Sequence, residues 1–147
     1  MEQPHLTFSA QFPVAFADCD LVGIVYYPRF LHYCHLAMEA LVDQCSGTTY
    51  AAMVTHERLG LATVKVAAEY LAPLVYGDSF QAEINVPRIG RSSVDLSYIL
   101  RRVRDDVISF RTVNTHVCLD FATLRAKPLP DKYRDALARY MPPESAA

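Results

Sequence analysis

The chain has 147 residues, 52% of them hydrophobic and 20% charged, with a net charge of −2 at neutral pH. That length and apolar content suit one well-covered core and exclude a disordered chain, while the near-neutral charge gives no general attraction to nucleic acid. Residues 1–7 lack a basic n-region and an apolar h-region, and no apolar run is long enough to span a bilayer, so the expectation is a soluble cytoplasmic protein without membrane insertion.

From Phe8 to Phe16 the apolar residues alternate, at Phe8, Ala10, Phe12, Val14 and Phe16, which is the period of a strand with one buried face. Pro13 puts part of that strand at an edge or a bulge. A turn-like stretch from Asp18 to Gly23 follows, and Pro28 suits a first helical turn, where its missing N–H is an orphan anyway. The helix predicted over Arg29–Cys45 is apolar or aromatic on most sides. Its polar stripe is Arg29, His32, Glu39 and Asp43, which predicts a helix enclosed by other elements. Ser46 to Thr49 supplies the exit, and a second, less regular helical region ends near Arg58.

Four further alternating runs read as strands. The first, Leu61–Leu71, closes at Pro73 and the turn Gly77–Asp78; the second carries Phe80, Ala82, Ile84 and Val86 and is interrupted from Pro87 to Gly90. The third carries Val94, Leu96, Tyr98 and Leu100. After a turn at Asp105–Asp106 the fourth and longest places Val107, Val113, Val117 and Leu119 on one parity. Arg101, Arg102, Arg104 and Arg111 read as a solvated strand face. An amphipathic helix from about Pro130 to Tyr140 ends the domain, and residues 1–7 and 142–147 are expected to be flexible termini. The order predicts an α+β fold in one domain spanning 1–147: a five-stranded antiparallel sheet wrapped around a long central helix. Its open edges predict at least a dimer.

Cys19, Cys34, Cys45 and Cys118 form no CxxC pair and read as reduced, mostly buried thiols. His32 and His35 are spaced i, i+3 but lack a third ligand at convincing spacing, so no metal site is predicted. Cys34 beside His35 is no nucleophile dyad, since adjacent helical residues point about 100° apart. Phe30 and Tyr33 read as core aromatics. Asp20, just ahead of the helix, is placed to serve as nucleophile or general base, and the unpaired N–H groups near Tyr27 and Arg29 can face a developing oxyanion. Gly23 lets the backbone pass close to a ligand. Spacing alone favours a plainer role for Asp18 or Asp20, as a turn or cap residue.

The segment Phe16-Ala17-Asp18-Cys19-Asp20-Leu21-Val22-Gly23-Ile24-Val25-Tyr26-Tyr27-Pro28 resembles the active-site signature of the 4-hydroxybenzoyl-CoA thioesterase family of hotdog-fold proteins. Its Asp-x-Asp-x-x-Gly-x-Val-Tyr pattern is met by Asp18, Asp20, Gly23, Val25 and Tyr26. Glu69-Tyr70-Leu71-x-Pro73, followed by Tyr76-Gly77-Asp78, is similar to the family's second signature. The resemblance implies a hotdog acyl-CoA thioesterase that is a homodimer and often a homotetramer, with sites at the dimer interface and no metal or organic cofactor. It implies that Asp20 is catalytic, that the helix-start amide at about Tyr27 polarises the thioester carbonyl, and that Asp18 is structural. Glu69 and Asp78 then serve the fold, and Arg88 and Arg91 stand where the family places basic residues for the CoA phosphates. Many relatives outside the 4-hydroxybenzoyl branch have a histidine where this chain has Tyr27. Asp20 is therefore left without a partner base, and the acyl group tilts toward an aromatic one such as 4-hydroxybenzoyl or benzoyl. The alternatives are a short-chain acyl-CoA or acyl-ACP thioesterase, and a non-catalytic acyl-CoA-binding protein with no use for a carboxylate at Asp20.

Overall fold

The computed structural model describes residues 5–143. In chain order the elements are β1 (Phe8–Pro13), α1 (Arg29–Cys45), α2 (Tyr50–Thr55), β2 (Leu59–Tyr70), β3 (Ser79–Ile89), β4 (Ser93–Arg102), β5 (Val107–Asp120), β6 (Arg125–Ala126) and α3 (Asp131–Ala138). The strands pair antiparallel in the order β1-β3-β4-β5-β2, with β6 beside β5. The sheet curls over α1, as predicted, and β2 is left as a long edge strand.

The packing follows from two periods. Strand β3 buries Phe80, Ala82, Ile84 and Val86, and β4 buries Val94, Leu96, Tyr98 and Leu100, every second residue in each case. Helix α1 answers with Phe30, Tyr33, Cys34, Ala37, Met38, Leu41 and Val42, a stripe at i, i+3, i+4 and i+7 spacing. Leu41 is wholly buried, so truncating it to Ala removes about 2–5 kcal/mol.

Several expectations change. The sheet has six strands rather than five, because the two-residue β6 pairs with Leu119 and Asp120; a strand that short leaves no alternation to read. The alternation from Phe8 stops early: Val14 N–H donates to the Asp78 carbonyl at 2.9 Å, a 3-10 turn begins at Phe16, and the Phe16 ring is 77% exposed. Strand β3 continues through Pro87 to Ile89, since Pro87 falls in a bulge where no ladder N–H is required. His35 joins the exposed stripe of α1 and lies 3.7 Å from Glu39. The expected flexible ends at 1–4 and 144–147 lie outside the described residues. Next to the first of them, the Leu6 N–H is tied to the Arg139 carbonyl at 3.1 Å.

The largest departure is in β5. Val113 faces outward and is 42% exposed, while the buried parity carries Phe110, Thr112, Asn114, His116 and Cys118. A bulge at Ser109, between the Leu100↔Phe110 and Arg101↔Ile108 pairs, takes Val107 off the parity of Val113 and sets it opposite the buried Arg102, at the start of the strand, where it is 38% exposed.

Candidate active site

The loop between β1 and α1 is held against the segment that precedes β3. Val25 N–H donates to the Leu74 carbonyl at 2.8 Å, and Tyr76 N–H donates to the Gly23 carbonyl at 2.9 Å. That second segment is itself fixed. Asp78, almost fully buried, accepts from Val75 N–H at 3.0 Å and from Arg104 Nε at 2.8 Å, while Arg102 donates to the Pro73 carbonyl at 2.7 Å. Asp78 and the arginines Arg102 and Arg104 thus serve as scaffold beneath the loop.

The two acids of the loop have different surroundings. Asp18 is 8% exposed; its Oδ2 accepts from Tyr33 Oη at 2.7 Å and from Ala15 N–H at 3.2 Å, and Arg29 Nε stands 3.8 Å from Oδ1. Burial and this bond hold the Tyr33 phenol far above its ordinary range, so it stays a donor. Asp20 is exposed, and its Oδ1 accepts from Val22 N–H at 2.9 Å and Ile24 N–H at 3.3 Å. Its Oδ2 has no partner among the described residues. A carboxylate pinned by one oxygen and free at the other is oriented without being consumed. Gly23 closes the same turn at a φ of +79°, a conformation that costs a β-carbon strain. A Cβ there would meet open space, so backbone conformation rather than close approach explains the glycine.

At the start of α1 the expected free amides reduce to one. Arg29 N–H donates to the Tyr26 carbonyl at 2.9 Å, Phe30 to Tyr27 at 3.4 Å, Leu31 to Pro28 at 3.2 Å, and Pro28 has no N–H. The Tyr27 N–H has no acceptor among the described residues and sits at the positive end of a 17-residue helix.

Two recesses flank the Gly23–Ile24 turn. Asp20 and Gly23 line one with Phe16, Cys19, Leu21 and Tyr76; Tyr27 lines the other with Ile24, Val25, Phe30, Tyr70 and the residues after β2. Tyr70, quoted above only as part of a fold signature, donates its hydroxyl to the Tyr27 carbonyl at 2.9 Å. Its position at the mouth was not readable from alternation, although the second signature contained it. Cys19 is a thiol in the first recess, and burial, reinforced by Asp18 and Asp20, pushes its pKa up and away from a thiolate nucleophile.

Arg88 and Arg91 are not brought to this loop within one chain. Strand β3 starts three residues after Tyr76, and Arg88 lies near its far end, about 30 Å along an 11-residue strand. Arg88 is bound to Asp95 at 3.0 and 3.2 Å and to Ser93 at 3.0 Å. Arg91 is exposed, with its carbonyl accepting from Leu129 N–H and Arg134 Nη2. Among the described residues no cluster of three or more metal-ligating side chains occurs, and no helix is long and apolar enough to cross a membrane.

A model of the thioesterase-like superfamily matches residues 14–137, which takes in the loop, the helix and every strand of the curled sheet except β1. The chain belongs to this superfamily. It has the hotdog fold. The chain is 27% identical over 124 residues to a 1,4-dihydroxy-2-naphthoyl-CoA hydrolase of Synechococcus elongatus, covering 84% of this chain and 90% of that protein. It superposes on a solved 1,4-dihydroxy-2-naphthoyl-CoA thioesterase from Synechocystis with a TM-score of 0.80 at 23% identity, covering 90% and 96% of the two chains. A gentisyl-coenzyme A thioesterase structure gives a TM-score of 0.79 at 20% identity, covering 88% and 98%. Membership is therefore at the level of the superfamily, with relatives named for other aromatic esters than 4-hydroxybenzoyl-CoA.

Proposed function

We propose that this chain hydrolyses an aromatic acyl-CoA thioester to the free acid and CoA. The observation that carries the reading is that one short loop holds both a half-free Asp20 carboxylate and, among the described residues, an uncommitted amide at the start of α1. An acyl thioester laid across the Gly23–Ile24 turn reaches both recesses. Asp20 Oδ2 takes a proton from water, the oxygen adds to the carbonyl, and the Tyr27 N–H with the helix start stabilises the oxyanion until the thiolate leaves. A nucleophilic route uses the same carboxylate through a mixed anhydride; solvent ¹⁸O entering Asp20 during a single turnover marks that route and its absence marks the other. Neither route requires a metal or organic cofactor. The aromatic acyl group rests on the aromatic mouth formed by Tyr27, Phe30 and Tyr70, and on relatives named for naphthoyl and gentisyl esters.

The working unit in this reading is a homodimer. The 12-residue β2 is an open edge with Val64 62% and Val66 42% exposed, which is the kind of edge that pairs with a second copy. Antiparallel pairing of two β2 edges brings the Arg91 end of one chain to the Asp20 end of the other, where Arg88 and Arg91 meet the phosphates of the partner's substrate. The outward-facing Val113 favours a further pairing to a homotetramer. Four free cysteines fit a reducing cytoplasm.

The test follows thiol release from benzoyl-, 4-hydroxybenzoyl-, 1,4-dihydroxy-2-naphthoyl-, phenylacetyl-, short-chain and long-chain CoA esters, with sedimentation of the enzyme at working concentration. Turnover of aromatic esters above the rest, by a dimer or tetramer, is expected. A wild type that binds the esters but releases no thiol overturns the catalytic reading.

A further inference from the structure

The uncommitted Tyr27 N–H is useful to an oxyanion only if it keeps one direction, and that direction is set by the two peptide planes that meet at the Tyr27 α-carbon. The plane before Tyr27 is held through the Tyr26 carbonyl, which accepts from Arg29 N–H at 2.9 Å. The plane after it leads into Pro28, which has no N–H, so only its carbonyl is available to hold it. From the helix that carbonyl receives the Phe30 N–H at 3.4 Å, beyond the usual range of about 2.7–3.2 Å. The Tyr27 ring is 62% exposed and gives the residue little anchorage of its own.

The missing grip comes from the other side of the mouth. Tyr70 is the last residue of β2 and donates its hydroxyl to the Tyr27 carbonyl at 2.9 Å, the shorter of the two bonds to that oxygen. Its ring is wedged against two buried aromatics, Phe110 at 4.9 Å and Phe30 at 5.4 Å, and meets the Tyr27 ring at 6.4 Å. By register Tyr70 is paired with Phe110 of β5, so the hydroxyl is carried by the sheet and not by the loop that it steadies. Burial raises the phenol above its ordinary value, with Tyr27 adding to the effect, and it stays a donor at neutral pH. Packing alone accounts for the ring but not for the hydroxyl: a half-exposed phenol could bond to water, and this one is spent on the residue that carries the spare amide.

We propose that Tyr70 is a positioning residue for the oxyanion: by holding the Tyr27 carbonyl it fixes the direction of the Tyr27 N–H, so that this amide bonds most strongly when the ester carbonyl becomes tetrahedral. Losing an oxyanion donor outright costs about 10²–10³ in kcat, and a donor still present but no longer held in line should cost about 10-fold. This rests on the thioesterase reading of the Asp20 loop.

The test uses two CoA thioethers titrated calorimetrically into full-length protein: phenacyl-CoA, whose ketone stays planar, and its α,α-difluoro counterpart, whose ketone takes up water to form a tetrahedral diol. Wild type is expected to bind the difluoro member more tightly. Tyr70→Phe keeps the ring contacts with Phe30, Phe110 and Tyr27 and loses only the hydroxyl. It should weaken the difluoro member about 10-fold, hold the planar one within about 2-fold, and lower kcat about 10-fold at an unchanged KM. Tyr70→3,5-difluorotyrosine supplies a second readout, which decides the matter if Tyr70→Phe does not fold. Its phenol ionises below the ordinary value of about 10, and a phenolate cannot donate, so the tetrahedral preference should disappear at a lower pH than in wild type. Equal losses on both analogues, no loss on either, no tetrahedral preference in wild type, or one pH profile shared by the wild-type and fluorinated proteins overturns the assignment. A Tyr70-dependent preference in a protein that releases no thiol from any ester keeps the positioning role and removes the Asp20 chemistry; turnover with a preference indifferent to Tyr70 does the reverse.

Discussion

Replacing Asp18 with Ala and Asp20 with Asn should separate stability from chemistry in a loop where the two acids are neighbours but one. Asp18→Ala removes a buried carboxylate that accepts from Tyr33 Oη at 2.7 Å and Ala15 N–H at 3.2 Å, and leaves the Tyr33 hydroxyl buried without its acceptor. A hydrogen bond to a charged group contributes about 1.5–3 kcal/mol and an orphaned buried donor costs about 1–3, overlapping quantities that together point to about 3 kcal/mol. For a chain of this size that is a fall in melting temperature of about 6–12 °C. Asp20→Asn keeps an oxygen for the Val22 and Ile24 N–H groups, so its melting temperature should stay within about 2 °C of wild type. Its kcat should fall at least about 100-fold, which is about 2.7 kcal/mol on the barrier at about 1.36 per factor of ten. Thermal melts followed by circular dichroism and thiol release at saturating ester read the two quantities. An Asp18→Ala protein that melts with wild type but no longer turns over, alongside an unimpaired Asp20→Asn, would exchange the two roles and refute the reasoning.

Desolvation, with His35 second, lowers His116 to about 4. Above its ordinary pKa of about 6.5 both folded and unfolded forms are neutral; between about 6.5 and 4 only the unfolded chain takes the proton, so stability falls with falling pH by up to about 3 kcal/mol. Denaturant melts across that window should show the slope, His116→Gln should flatten it, and identical slopes would discard the idea. Ser109 Oγ is buried without a partner among the described residues, so Ser109→Ala should raise stability by about 1 kcal/mol in the same melts, and a loss instead would mean the hydroxyl has an acceptor. Arg91 is exposed and Arg88 is occupied by Asp95, so Arg91→Ala should raise KM for a CoA ester about 3-fold or more at low salt, an effect that fades with added salt, and Arg88→Ala should raise it less. An unchanged KM for Arg91→Ala at low salt would remove it from the phosphate path.

Much of the fold was legible because two periods are nearly unbroken. In β3 and β4 every second residue is apolar and buried, and α1 carries its stripe without a gap, so both the elements and the face that meets the core could be read before any coordinates. The loop was legible in its parts. Asp20, Gly23 and Tyr27 fell on one turn ahead of one helix, but which acid is free and which amide is spare depended on bonds to Tyr33, Tyr26 and Pro28 that no spacing encodes. Arg88 and Arg91 show the opposite case: their residue type suited a phosphate, while their distance from Asp20 is set by the length of β3 and by whatever chain meets the β2 edge.

Strand β5 departs from its apolar parity for a physical reason. Alternation assigns the apolar parity to the core because burying a polar side chain without a partner is costly. In β5 that cost is offset on the inward face by paired side chains: His116 is bonded at both nitrogens, and Thr112 donates to Asn114 Oδ1. Those bonds make a polar stretch of core tolerable, and no spacing in the sequence encodes them. The same departure turns Val113 outward, where burial must come from another copy of the chain.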